Sequence, residues 1–438
     1  MIQDINLDQI IKNLKLKKIF KKLYPICRSI TGQGFEESLD ILNSVSSLNK
    51  KKVKSGTKVL DWTVPDEWNI KDAYVKVNNK KIIDFKSHNL HVVNYSEKVN
   101  KTISYKELVK HLHYLPDLPN AIPYMHSYYK KYWGFCLNYN QFKKLNKKVK
   151  YKVKIDSSFK RGNLIYSDNL IPGKSKKEIL IYTYLCHPQM ANHELSGPLT
   201  WLALYDIIKK TRPHNYSYRF VICPENIGAA AFLHNNKKKL KNIEAGYILN
   251  CLGHGKLVTF KKSRVGNSLA DRAAINVIKH SKYPYKILNF FSEGSDERQF
   301  CSPGFNLPVC LVMRKMFTEF KEYHTSLDNE KFINFNTIRE SISIHYEILL
   351  TIENNFIPKA KIIYGTPQLS KSKIDLYPEI MLSKKRKKSD ETKLMLEILN
   401  LAEGKLDLLE ICERKNYKFI DFLNLYKKLL KSGYIKKS

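Results

Sequence analysis

Apolar and polar positions follow different patterns in different parts of the chain. From about residue 156 onwards, near-continuous apolar runs alternate with segments of helical periodicity. Runs of this kind, typical of strands buried in a parallel sheet, lie at 178–188, 218–228, 244–253 and 306–314. Apolar residues recur at helical spacing over 195–210 and 335–355. The alternation predicts an α/β domain with a mixed, largely parallel sheet and helices on both faces.

Other patterns flank this region and predict separate units. Residues 57–155 contain short strand-like runs with polar breaks and indicate a small β-rich domain inserted into the chain. The α/β domain is then discontinuous and comprises residues 1–56, which are mostly helical, and 156–358. We interpret 359–389 as a linker. Residues 390–438 have the pattern of three short helices followed by a hairpin-like wing, which predicts a winged-helix domain.

The composition is that of a globular protein with an unusual charge. The 438 residues are 43% apolar and 27% charged, which excludes a disordered chain, and 76 basic against 41 acidic residues give a net charge of +35. The lysines are dispersed, although Lys384–Lys388 form a short cluster. A recognition helix usually presents Arg, Asn or Gln to base edges, whereas the third helix of the winged-helix segment holds Phe, Leu and Tyr at core spacing, with lysines near its end. We therefore expect no nucleic-acid partner, and expect the winged helix to make protein contacts, including those of a homo-oligomer.

Cysteine usage and hydropathy bear on localisation. None of the eight cysteines forms a C-x-x-C pair, and several lie in apolar runs, so we expect buried free thiols in a reducing compartment. The first residues lack the apolar core of a signal peptide, and no run approaches the ~18–20 apolar residues of a membrane span. These features predict a cytoplasmic protein without a membrane partner.

Histidines and carboxylates follow the ends of the predicted strands. His187 ends the first, with His193 and Glu194 close behind, Glu225 ends the second, and His324 follows the fourth. The carboxyl ends of parallel strands meet at one edge of a sheet, where ligands bind. Nitrogen and oxygen ligands with one open position are typical of a catalytic zinc site. We predict that His187, Glu194 and His324 bind zinc, with His193 as the alternative to Glu194.

Further polar residues of the same loops could assist this site. Glu225 is the predicted general base, because it could take a proton from water activated by the metal and pass it to a leaving amine. Asp296 or Asp328 could orient a ligand histidine, and we assign Asp296 to the catalytic group. Arg298 and Arg314 could bind a substrate carboxylate, or pair with acidic neighbours, which we favour.

The motifs of these loops resemble those of a known enzyme class. The strings CHP, ELSG, PENIG, GSDERQFCSPG and YHTSLDN are similar to those of M28-type zinc aminopeptidases. They resemble more closely a bacterial family of aminopeptidase-like proteins with an inserted small domain and a C-terminal winged helix. That likeness extends to CRSITGQGF, VLDWTVPDEWNI and YYKKYWGFCL, so it covers nearly the whole chain. It implies a phosphorylase/hydrolase-like fold, and some members are linked to surface polysaccharide synthesis.

The resemblance carries over residue by residue and shows two departures. Four residues match the family motifs: His187, Glu225, Asp296 and His324. The position of the bridging carboxylate ligand of the M28-type enzymes corresponds to His193 or Glu194 in this chain. Asn226 and Asn250 stand where the M28 enzymes have carboxylate ligands. An amide oxygen is a poor zinc ligand and does not offset the charge of a second ion, so we predict one zinc ion.

Three functional hypotheses follow from the sequence. The first is a zinc-dependent, aminopeptidase-like hydrolase that cleaves a peptide or amide bond of a small substrate, with the inserted domain roofing the cleft. The second is a non-hydrolytic metal-binding or scaffold protein that retains the metallopeptidase fold, with a link to surface polysaccharide synthesis. The third, less favoured, is a nucleic-acid-binding regulator that uses the C-terminal domain.

Overall fold

The computed structural model describes residues 9, 12, 14–369 and 390–438. The strands, numbered along the chain, are β1 Lys50–Lys54, β2 Lys58–Val59, β3 Trp62–Thr63, β4 Glu67–Val77, β5 Lys80–Asp84, β6 Val99–Ser104, β7 Leu112–His113, β8 Phe135–Cys136, β9 Lys150–Lys160, β10 Asn163–Ile171, β11 Glu178–Tyr184, β12 Ser217–Cys223, β13 Ile243–Leu249, β14 Val258–Lys261, β15 Tyr285–Leu288, β16 Val309–Met313, β17 Pro358–Ala360 and β18 Ile435–Lys437.

The helices are numbered in the same way. They are α1 Leu16–Leu23, α2 Gln33–Asn43, α3 Tyr105–Leu108, α4 Tyr139–Lys143, α5 Ser196–Lys210, α6 Ile227–Asn236, α7 Leu269–Lys279, α8 Glu297–Phe300, α9 Phe335–Asn354, α10 Asp390–Leu401, α11 Leu408–Arg414 and α12 Leu423–Lys431. A π-helical turn, Ala191–Leu195, precedes α5 directly. A short 3₁₀ turn, Val109–His111, follows α3 directly.

An eight-stranded mixed sheet forms the centre of the molecule, in the order β1-β10-β12-β11-β13-β16-β14-β15. The neighbouring strands β12, β11, β13 and β16 pair in parallel, and antiparallel pairings lie towards the edges. Every residue of β11, β12 and β16 is buried, as the continuous apolar runs predicted. The predicted α/β class with a mixed, largely parallel sheet is confirmed.

Two groups of helices pack on this sheet. Helix α9 contacts both α5 and α7, while α6 contacts α8. The close approach of α5 to the sheet requires glycine at Gly197, because a Cβ there would lie 2.2 Å from the carbonyl oxygen of Leu249. The start of α5, which directly follows the π-helical turn, therefore packs on the carboxyl ends of β11 and β13.

A separate four-stranded antiparallel sheet, in the order β5-β4-β9-β6, lies between β3 and β10 along the chain. It has its own apolar core, which includes Val75, Ile83, Phe135 and Val153. The small sheet extends to Lys160, five residues beyond the predicted boundary at 155. The division into domains at 57 and 155 stays a prediction.

The C-terminal segment forms α10, α11 and α12 and ends in β18. The predicted hairpin after the third helix is wrong, because β18 pairs antiparallel with β17, whose last two residues lie in the segment interpreted as a linker. The rest of that segment from residue 370, with the Lys384–Lys388 cluster, lies outside the described residues, as do most of residues 1–13.

Two further expectations concern the thiols and the membrane. All eight cysteines are free, and seven of them are buried, in agreement with the sequence pattern. Within the described ranges, no helix combines the length and the apolar character needed to cross a membrane.

Candidate metal centre

The carboxyl ends of the parallel strands carry the polar residues that the sequence singled out. His187 follows β11, Glu225 follows β12 and Asn250 follows β13, while the π-helical turn and the loop 323–328 add side chains from the helical side. A cavity of about 450 Å³ opens above them. Its lining includes His187, Glu225, Asn226 and His324.

Three histidines converge beside the cavity. Among the described residues, His187, His193 and His324 form one group of three whose possible ligand atoms all lie within 4.8 Å of one another. The Nε2 atoms of His193 and His324 are 3.1 Å apart. Two nitrogens bound to one tetrahedral zinc at ~2.0–2.1 Å would lie ~3.3 Å apart, so this spacing suits a shared metal ion.

Glu194 contacts the back of His187. One carboxylate oxygen accepts a hydrogen bond from the His187 backbone N–H (2.9 Å), and the other lies 2.7 Å from its ring Nδ1. The ring therefore directs Nε2 towards Glu225, whose Oε2 is 3.6 Å away. Cys186, His187 and Glu194 form a second possible group of three, but the predicted combination with His324 is not among the groups that the described residues form.

Arg28 extends this contact and was missed by the sequence analysis. Its side chain is fully buried, donates from Nε to the carbonyl oxygen of His187 (3.0 Å), and lies 4.0 Å from Glu194. The only signal for it was its place in the CRSITGQGF string. The N-terminal segment thus supports the loop that holds His187.

The π-helical turn presents His193 to the other two histidines. Asp328 fixes this turn, because its carboxylate accepts from the backbone N–H groups of Asn192 (2.6 Å) and His193 (2.8 Å). The Tyr184 hydroxyl lies 3.1 Å from His193 Nδ1. Burial and the charges of the other two histidines hold the pKa of His193 well below its usual value, which leaves the neutral imidazole that metals bind.

His324 lies on a strained loop that the inserted segment holds in place. Its φ is 54°, in the left-handed region that non-glycine residues rarely adopt. The Tyr124 backbone N–H donates to the His324 carbonyl oxygen (2.7 Å), and Ser326 bonds Ile122 through its backbone. Gln189, Asn226 and Cys251 also have positive φ, so backbone strain concentrates around this centre, as it does at functional sites.

Glu225 stands between the histidines and the cavity. Its Oε1 accepts from the Ser295 hydroxyl (3.2 Å), and its side chain is 19% exposed. Burial raises the pKa of the Glu225 carboxyl, and the charge of His187 partly opposes this effect. A carboxyl group with a raised pKa, within reach of the cavity, is suited to carry protons.

Asp296 is fully buried and supports the loop of Asn226. It accepts from the Tyr182 hydroxyl (2.6 Å) and from the Asn226 backbone N–H (2.8 Å). Burial and the charge of Glu225 raise its pKa to about 8. Asp296 contacts Tyr182 and the Asn226 backbone, and Asp328 contacts the His193 backbone N–H, so an orienting role for either aspartate stays a prediction.

Asn226 and Asn250, which the resemblance places where M28-type enzymes have carboxylates, differ in their surroundings. The side-chain amide oxygen of Asn226 accepts a hydrogen bond from Arg298 Nη2 (2.6 Å). Arg298 therefore contacts an amide and not the acidic partner that we favoured. Arg314 pairs with Glu340 (2.9 Å), as expected. Asn250 is buried, and neither of its side-chain polar atoms has a partner among the described residues, an arrangement that costs about 1–3 kcal/mol.

The chain matches two protein families and is similar to proteins of Clostridium acetobutylicum. Residues 17–355 match the family described as a domain of unknown function (DUF4910), and residues 357–437 match a winged helix-turn-helix family. A Clostridium acetobutylicum protein is 41% identical over 412 residues, with 92% of each chain covered; it is named a candidate polysaccharide biosynthesis protein with an aminopeptidase-like domain. A crystal structure from the same species, described as a candidate peptidase, is 38% identical and superposes with a TM-score of 0.92 over all of both chains.

More distant structures share the fold of the α/β region. A zinc aminopeptidase from Bacillus subtilis has a TM-score of 0.52 at 12% identity and covers 76% of this chain and 94% of its own. An M28 peptidase precursor from Shewanella amazonensis has a TM-score of 0.54 at 11% identity and covers 79% and 96%. The predicted aminopeptidase fold is confirmed, and the relatives indicate a peptidase-like hydrolase as the general class. The chain belongs to the DUF4910 family and joins that domain to a C-terminal winged helix-turn-helix.

Proposed function

We propose that the protein is a zinc-dependent hydrolase that cleaves an amide bond in a small substrate. The observation that carries the proposal is the convergence of His187, His193 and His324 beside Glu225, at the edge of a cavity. Three imidazoles and an open position are the donor set of catalytic zinc. The aminopeptidase fold of the distant neighbours supports the same assignment.

His193 takes the place of Glu194 in the proposed ligand set. Glu194 directs both oxygens to His187, and a carboxylate that receives the second ring N–H of a ligand histidine is the usual outer partner of zinc. When bound, zinc acts as a Lewis acid and lowers the pKa of water to about 7. The ligand role first predicted for Glu194 becomes an orienting role.

Glu225 moves the proton in this proposal. Its carboxylate takes a proton from the attacking water and transfers it to the nitrogen of the leaving amine. The water oxygen joins the acyl carbon, the carbon–nitrogen bond breaks, and the products are a carboxylate and an amine. The hydroxyl of Ser295 holds Glu225 in place for this transfer.

One zinc ion fits the donor set better than two. A second ion needs carboxylates to balance its charge, and the chain has Asn226 and Asn250 at the positions in question. The guanidinium of Arg298 contacts Asn226, so a positive charge already stands there. These contacts support a mononuclear centre.

The experiment compares Glu225→Gln with the exposed Glu293→Gln as the matched control. With purified zinc-loaded protein and a panel of small amides, Glu225→Gln should lose about 10²–10⁴-fold in turnover, because that is the usual contribution of a general base. Zinc content should stay at the wild-type value in both variants, and Glu293→Gln should retain activity. Equal turnover of wild type and Glu225→Gln would contradict the proposed role.

A non-hydrolytic metal-binding or scaffold protein is the second candidate. Two observations favour it: the amides at Asn226 and Asn250, and the polysaccharide biosynthesis in the name of the relative. Turnover that depends on Glu225 would exclude it. Stoichiometric zinc without turnover on any amide would support it.

A further inference from the structure

The cavity beside the metal centre has few acceptors for a positively charged group. Three buried carboxylates surround it, but each has hydrogen-bond donors of the protein on both oxygens: Glu194 bonds His187, Asp296 bonds Tyr182 and Asn226, and Asp328 bonds the π-helical turn. Among the described residues that line the cavity, Glu225 is the one carboxylate.

Asn226 offers a donor where a carboxylate would offer an acceptor. Arg298 Nη2 donates to its carbonyl oxygen, and this contact fixes the orientation of the amide. The Nδ2 group then remains for the cavity, since the described residues supply no acceptor for it. Asp296 accepts from the Asn226 backbone N–H and so helps to hold the Asn226 side chain in this position.

Lys130 adds a positive charge to the wall formed by the inserted segment. It lines the cavity with Trp62, Tyr128 and Tyr129, and its side chain is exposed. No carboxylate of the described part of the chain lies within 4.0 Å of its ammonium group. The aromatic rings suit a flat or aliphatic body, and the ammonium group of Lys130 suits an anionic end.

We propose that the substrate carries a carboxylate on its acyl part and lacks a free amine next to the scissile bond. This inference rests on the proposed function and names the substrate class for the same site. The carboxylate would accept from Asn226 Nδ2 and pair with Lys130. The enzyme would then be an amidase for acidic acyl groups and would differ in specificity from an aminopeptidase.

A free ammonium group is disfavoured by the same contacts. It would lie near the Arg298 and Lys130 charges, and its one carboxylate partner among the described lining residues would be Glu225, which the reaction needs as a base. An unpaired charge taken out of water is costly, so a peptide with a free N-terminus should bind poorly. The net charge of +35 also favours the approach of anionic substrates.

Binding of matched hydroxamates to the zinc-loaded full chain tests the proposal. Succinyl, butyryl and β-alanyl hydroxamates have acyl chains of the same length that end in a carboxylate, a methyl group and an ammonium group. Isothermal calorimetry should rank them in that order, with a span of about tenfold, as expected for charge pairs at a partly exposed site. Propionyl hydroxamate should likewise bind more tightly than alanyl hydroxamate, whose amine is on the α-carbon. Equal affinities or the reverse order would overturn the proposal.

Two variants and a control locate the recognition. Lys130→Met should weaken succinyl hydroxamate about threefold and leave butyryl hydroxamate unchanged, whereas its exposed neighbour in Lys131→Met should affect neither. Asn226→Gly keeps the backbone with φ of 60° without strain and removes the amide, so it should also lower the preference for succinyl over butyryl. Unchanged preference in both variants would overturn the assignment.

Turnover of the corresponding anilides separates this inference from the proposed function. If succinyl hydroxamate is preferred but no anilide is hydrolysed, the proposed hydrolase function fails and the anionic specificity stands. If β-alanyl or alanyl anilide is the best substrate, the hydrolase function stands and the anionic specificity is overturned.

Discussion

The two sides of the candidate metal centre lie at the same edge of the large sheet but differ in their chemistry. On the histidine side, formed by His187, His193 and His324, the possible ligand atoms converge, and outer partners orient His187 and His193. On the amide side, formed by Asn226, Asn250 and Arg298, a guanidinium contacts one amide, and the described residues offer the other amide no partner. Both sides are built at the same sheet edge. One sheet edge can therefore place possible metal ligands on one side and amide and guanidinium groups on the other.

Removal of a proposed zinc ligand on the histidine side should cause the largest loss of zinc affinity. His193→Ala removes one of three nitrogens, so the zinc affinity should fall by more than about 100-fold, beyond the loss that an outer partner causes. Competition with a chromogenic chelator measures the affinity. The matched control is His126→Ala, which changes another histidine of the same cavity, outside the group of three, and should leave the affinity unchanged. Equal zinc affinities of wild type and His193→Ala would remove His193 from the ligand set.

Glu194→Gln should have a smaller effect and distinguishes the two possible roles of Glu194. If its carboxylate orients His187 from behind, the zinc affinity should fall by about 10–100-fold, as for other outer partners. The same chelator competition measures it beside His193→Ala. A loss as large as that of His193→Ala would instead indicate that Glu194 itself binds the metal.

His345 gives the smallest effect and a reference for buried imidazoles away from the metal centre. Burial lowers its pKa to about 4, whereas the unfolded chain has the ordinary value near 6.5. The folded state therefore binds fewer protons, and stability is present above pH 6.5 and is lost as the pH falls towards 4. Between pH 7 and pH 5.5 this group should cost about 1 kcal/mol of unfolding free energy.

The measurement for His345 is urea unfolding of the zinc-loaded protein at the two pH values. His345→Gln should reduce the loss of stability between them, and His280→Gln, on the more exposed end of α7, serves as the control. An unchanged pH dependence in His345→Gln would show that acid sensitivity comes from other groups, such as the histidine side.

Much of the fold was predictable because it depends on local patterns. The apolar runs of β11, β12 and β16 and the long periodicity of α9 indicated the α/β sheet, and the topology rule then brought His187, Glu225 and His324 to one edge. The pairing of β18 with β17 was not predictable, since the three helices and the segment between them separate the two strands along the chain.

The parts of the site that escaped prediction depend on distant contacts. The position of His193 beside His187 and His324, on which we base its proposed ligand role, depends on a π-helical turn that no residue pattern indicates, and on Asp328, which is 135 residues away along the chain. Arg28 reaches His187 across 159 residues, and Arg298 orients Asn226 across 72. The sequence motifs identified most residues of the site, but the contacts that these residues make follow from the packing of the chain.

Zinc K-edge X-ray absorption together with elemental analysis will show whether His187, His193 and His324 hold a single zinc ion. On the purified full chain, we expect one zinc ion per chain and a first coordination shell with three imidazole nitrogens. Absence of stoichiometric zinc, two ions per chain, or a shell with fewer than three imidazoles would contradict this expectation.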